Sequence, residues 1–171
     1  MTRRAAPAKH PVHAIDLSRE DASARVLRQF RQIFNAVKTH FRQMEKKVGL
    51  GGAQVWALSV IRTSPEIGMS ELARVMNIHQ STASNLVKTL VERELVAMTR
   101  DSGDRRAVSL TLLPAGSRIL RRSPEPFEGV LPQALASLDQ KTLKRLEIDL
   151  ARLIAELEPD ESASKIPLSE M

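Results

Sequence analysis

A mainly α-helical fold with one small β-hairpin is expected from three observations. Apolar residues recur every three or four positions through most of the chain, they alternate with polar ones in one short region only, and a polar turn interrupts that region.

Residues 1–20 carry Arg3, Arg4, Lys9, His10 and His13 with Pro7 and Pro11 and little apolar content. Such a segment buries too little surface to offset its ordering entropy, so a disordered basic arm is expected. From residue 21 the apolar positions Val26, Phe30, Ile33, Val37, Phe41, Met44 and Val48 hold helical spacing to residue 48, where Gly49, Gly51 and Gly52 stop the helix. A second helix is expected over residues 53–62, around Val55, Trp56, Leu58 and Ile61. It halts before Pro65, because the residue preceding proline avoids the helical region. Ser70 is the expected N-cap of a third helix ending at Met76, and a turn at Asn77 and Ile78 leads to a fourth over residues 80–93. In this fourth helix Ala83, Leu86, Val87, Leu90 and Val91 form a single apolar face.

Residues 95–100 and 107–112 then read as strands, the second with Val108, Leu110 and Leu112 alternating against Ser109 and Thr111. Pro114 suits the first turn of a further helix, which Pro124 and Pro126 must break or kink near its middle. From Asp139, a second N-cap, Leu143, Leu146, Leu150, Leu153 and Leu157 repeat at alternating three- and four-residue spacing, a seam for packing on another helix. Residues 159–171 read as a flexible tail. The expected organisation is one folded unit over 21–158. Its lobe, 53–113, carries the hairpin, and its flanking helical parts, 21–48 and 114–158, are too apolar to be left to solvent on a chain of this size. A homodimer joined through those parts follows.

Composition narrows the function. Lys and Arg outnumber Asp and Glu by 26 to 20, a formal +6, which favours a polyanionic partner. The absence of cysteine excludes disulfides, thiolate nucleophiles and zinc–cysteine sites, and fits a reducing cytoplasm. No apolar run approaches a membrane span, so a cytoplasmic protein without a membrane partner is expected. His10, His13 and His40 form no helical pair with a carboxylate of the kind that holds a metal, and no nucleophilic triad or glycine-rich phosphate loop is present. Neither an enzyme nor a cofactor is expected.

Opposite its apolar face the fourth helix presents Gln80, Ser81, Ser84, Asn85 and Lys88. Asn and Gln can pair bidentately with adenine in the major groove, Ser reads base or phosphate, and Lys suits guanine or the backbone. A polar stripe by itself is also what any surface helix shows. The order around it is more specific: a helix, a tight turn, the polar-faced helix, then a hairpin whose tip holds Arg105 and Arg106 beside Gly103. That is the layout of a winged helix-turn-helix, with one helix in the major groove and arginines able to reach the neighbouring minor groove.

The segment MSELARVMNIHQSTASNLVKTLVERELVAMTRDSGDRRAVSLTLLPAG, Met69 to Gly116, resembles the core of the MarR family of transcriptional regulators, and the flanking helices fit that family's layout. The resemblance implies a homodimer with interlocked first and last helices above two winged helix-turn-helix lobes. It implies that Arg106 enters the minor groove with Asp104 helping to hold it, while Gln80, Ser81, Ser84, Asn85 and Lys88 face the major groove. It also implies that the first two helices help line a cleft for a small aromatic or anionic effector, for which Phe30, Phe34 and Trp56 are candidates beside a role in simple packing. Three residues depart from the pattern: His79 where an N-capping Ser or Thr is frequent, Glu94 where Gly commonly closes the helix, and Leu113 in place of Thr before Pro114. Glu94 costs about 1 kcal/mol if its site requires positive φ.

Two functions remain: a sequence-specific regulator on a palindromic operator, repressing until an effector binds, or an architectural protein that coats DNA through charge. They differ in discrimination, since a regulator holds its operator at least ~10³-fold tighter than random duplex.

Overall fold

The computed structural model describes residues 21–100, 108–157 and 164–170. It contains seven α-helices and one antiparallel hairpin among these residues. Helix α1 (Ala22–Val48) starts at Asp21, whose carboxylate accepts from the Ser23 amide at 3.2 Å. It ends at Gly49 with φ 70°, a left-handed conformation that glycine adopts without steric penalty. Gly51 and Gly52 do not stop α1, as the sequence suggests, but open α2 (Gly52–Thr63), with Gly51 at the N-cap.

Helices α3 (Met69–Val75) and α4 (Gln80–Glu92) follow, then strands β1 (Val96–Arg100) and β2 (Val108–Leu112), paired from Val96 with Leu112 to Arg100 with Val108. The N-cap of α3 is Gly68, not Ser70, which lies in the first turn of the helix. The reason is tertiary: Ile67 bridges Leu110, through Leu110 N–H to the Ile67 carbonyl at 3.1 Å, and this holds the incoming chain extended up to Gly68.

Helix α5 (Pro114–Arg122) stops at Ser123, which is extended ahead of Pro124. The break is complete, and α6 (Val130–Ala136) and α7 (Gln140–Leu157) are separate helices. Asp139 caps α7, accepting from the Thr142 amide at 3.0 Å and its hydroxyl at 2.7 Å. His40 of α1 is buried and donates from Nε2 to the Pro126 carbonyl at 2.9 Å, a structural tie between α1 and the α5–α6 connector.

The core lies in the lobe. Val55, Leu58, Leu72, Leu90 and Leu110, from α2, α3, α4 and β2, are wholly buried in one cluster. Leu168–Glu170 forms a short 3-10 turn against α1 and α2, in a segment that reads as a flexible tail in sequence.

Candidate nucleic-acid interface

The interface begins with the turn between α3 and α4. Asn77 has φ 51°, its N–H donates to the Arg74 carbonyl at 3.1 Å, and the next N–H, of Ile78, donates to the Ala73 carbonyl at 3.0 Å. This pair of bonds closes α3 in a Schellman cap, for which Asn is among the few non-glycine residues suited. Burial of Ile78 and Met76 locks the turn onto the core, so the entry angle of α4 is set by packing.

Helix α4 turns its apolar face inward. Ala83, Leu86, Val87 and Leu90 are buried, and Val91 is partly so. Gln80, Ser81, Ser84, Asn85 and Lys88 are all exposed on the other side, which brings the five candidate reading residues onto one face. At 1.5 Å per residue the stripe runs about 12 Å, the scale of a major groove. The Gln80, Ser81, Ser84 and Asn85 side chains make no hydrogen bond among the described residues; Thr89 binds only the Asn85 backbone carbonyl. Lys88 lies 4.0 Å from Glu92, and with both ends in solvent this pair holds the lysine only weakly. His79 occupies the N-cap without a side-chain bond, and the first turn has no acidic residue, so the leading N–H groups of α4 remain available to an oxyanion.

The far end of α4 is a second Schellman cap. Glu94 has φ 55°, its N–H donates to the Val91 carbonyl, and Leu95 N–H donates to the Leu90 carbonyl, both at 2.9 Å. The position where the resemblance expects glycine therefore does require positive φ. Leu95 is consumed by this cap, so β1 begins one residue later than the sequence suggests. Arg93 Nη1 donates to the Gly49 carbonyl at 2.7 Å and ties the end of α4 to the end of α1. Sequence reading misses this tie, since a long-range side chain to backbone bond leaves no periodic signal.

Asp104, Arg105 and Arg106 lie outside the described residues. The three aromatic effector candidates do not share one cavity. Phe34 lines a cleft of about 420 Å³ beside α1, while Trp56 lines a second, of about 430 Å³, with Phe127. Phe30 lines neither and stacks on Phe34, ring centres 6.2 Å apart.

The model of the MarR family matches residues 48–107, from the last residue of α1 through both helices of the helix-turn-helix and into the hairpin loop. Over those residues the chain is similar to the MarR family of regulators. The transcriptional repressor MdtR of Bacillus subtilis (strain 168) is 22% identical over 75% of this chain and 83% of its own length. A MepR-like protein, crystallised with pseudoligands, matches with TM-score 0.55 at 20% identity over 78% of this chain and 92% of that one. Bordetella bronchiseptica BpsR, solved in a study of how 6-hydroxynicotinic acid regulates its DNA binding, matches with TM-score 0.50 at 23% identity over 81% and 100%. The MarR-like fold supports a DNA-binding regulatory role, a class of protein that is not enzymatic, and implies a homodimer. Among the described residues no helix is long and apolar enough to cross a membrane, and no group of three or more His, Asp or Glu could hold a metal ion.

Proposed function

We propose that this MarR-like protein is a sequence-specific repressor that binds a palindromic operator as a homodimer and releases it when a small aromatic or anionic effector binds. The observation that carries the reading is the face of α4, where Gln80, Ser81, Ser84, Asn85 and Lys88 stand exposed while the opposite face is locked into the core. Gln80 and Asn85 read base edges, Ser81 and Ser84 contact base or phosphate, and Lys88 serves phosphate. Asp104, Arg105 and Arg106 are assigned to the wing, with the Arg106 guanidinium in the minor groove. Repression is supported by the likeness to the repressor MdtR, and an effector by the likeness to BpsR, whose DNA binding 6-hydroxynicotinic acid regulates.

Two-fold symmetry predicts two half-sites one helical turn, or a multiple of it, apart. Footprinting the purified protein on the DNA upstream of its own gene tests this directly. A protected inverted repeat, bound at least ~10³-fold more tightly than scrambled duplex, is the expected result. Equal affinity for both DNAs would instead favour the architectural reading that the +6 charge also permits.

A further inference from the structure

The cleft beside α1 is not closed by the helices alone. Phe34, Val37 and Phe41 of α1 and Leu131 of α6 form its apolar wall, and Leu168 and Ser169 of the C-terminal segment line it next to Gly51 and Gly52. The 3-10 turn of that segment packs on both α1 and α2. The fit depends on glycine: a Cβ built on Gly52 would lie 2.7 Å from the Ser169 Cβ and closer still to two ring carbons of Phe41. A side chain at position 52 would force both Phe41 and Ser169 to shift, so the close approach of α1 and of this segment to the first turn of α2 rests on glycine. Lys38 and Arg42 stand at the rim, exposed, with no ion pair among the described residues; Glu45 is the one carboxylate in the lining.

We propose that residues 164–170 are a strap seated over the mouth of this cleft, joining the end of the α7 arm to the start of the DNA-binding lobe, and that an amphipathic anion enters beside Lys38 and Arg42 only when the strap leaves. The strap stands independently of the effector reading, whereas the link from cleft occupancy to DNA release rests on it. The anion class follows from the lining: apolar walls, two cations and one carboxylate leave a net positive rim around a volume typical of small-ligand sites.

The probe is 1-anilinonaphthalene-8-sulfonate, an aromatic anion whose fluorescence rises on entering apolar surroundings. It is titrated into the full chain, a chain ending at Asp160, and full-length Leu168→Gln, which removes the strap's apolar side chain from the lining without changing the charge at the rim. Both altered chains are expected to bind the probe several-fold more tightly than the full chain, and adding Lys38→Ala and Arg42→Ala to either is expected to remove that gain. If the truncated chain loses its cooperative melt, Leu168→Gln alone decides. No gain in binding, or a gain that survives removal of both cations, overturns the proposal. Footprinting with and without the probe on the strap-free chain reads the effector link separately. Tight probe binding with an unchanged footprint would retain the strap and defeat its role in DNA release.

Discussion

Helices α4 and α7 carry the same kind of apolar stripe, and the fold treats them in opposite ways. In α4 the stripe packs on α2, α3 and the hairpin, and Leu90 is wholly buried. In α7 no residue is buried; Leu150 is 39% exposed, Leu153 40% and Leu157 68%. The first half of α1 is similar, with Val26, Leu27, Ile33 and Phe34 exposed. Periodicity states that a face must be covered, but not by what. The lobe finds its cover inside one chain. The arms expose a surface that a single chain leaves open, in keeping with the homodimer that the MarR fold implies.

The sharpest way to break this contrast is to charge the seam. Replacing Leu150 and Leu153 together by Asp is expected to abolish the dimer at micromolar concentration while the lobe keeps its helical signal; sedimentation with circular dichroism checks both. A stable dimer would place the interface elsewhere. The counterpart inside the lobe is Leu90→Ala, where a wholly buried side chain is lost from the core cluster. It is expected to destabilise the lobe by about 2–5 kcal/mol in urea titration. The same substitution at Leu153 is expected to act on dimerisation, with a concentration-dependent melt.

A smaller effect separates reading from assembly. Asn85→Ala should relax preference at one operator base pair by about 1–3 kcal/mol, seen in binding to single-substitution duplexes, with unchanged sedimentation. Lys88→Ala should weaken binding to all of them alike. Glu94→Gly relieves the positive φ at the end of α4 and is expected to stabilise the lobe by about 1 kcal/mol, read as a higher urea midpoint with unchanged slope.

The smallest effect concerns the helix starts of the arms. The Ser23 hydroxyl and amide hold the Asp21 carboxyl below its ordinary value, and the Thr142 amide and hydroxyl do the same for Asp139. A carboxyl whose folded value is depressed stabilises above its unfolded value, and that contribution fades as pH falls through the folded one. Acid below the usual carboxylate range should therefore fray α1 and α7 at their first turns. Far-UV circular dichroism against pH reads this, and Asn at both positions, which caps without titrating, should flatten the response.

Much of this is legible in the sequence because it is local. The stripe of α4, the cap at Asp139, the break at Pro124 and the alternation of β2 each arise within a few residues, so residue type and spacing suffice. The five candidate reading residues are legible for the same reason, since residues three and four apart share a helix face. Ser70 misleads because the helix start there is imposed by the Ile67–Leu110 bridge, across more than forty residues of chain. Phe30, Phe34 and Trp56 look alike in sequence, yet helix packing divides them between two clefts and a surface stack.

By itself, then, the sequence determined which faces are apolar, where most helices start and break, and that Asn77 can turn the chain into α4. Only the tertiary structure decided which of those faces close on one another, that Arg93 ties α4 to α1, and that the C-terminal segment returns to Gly52. The physical reason is range. Backbone propensity and capping act over one turn of helix, whereas a long-range contact depends on how the whole set of apolar faces can be buried at once.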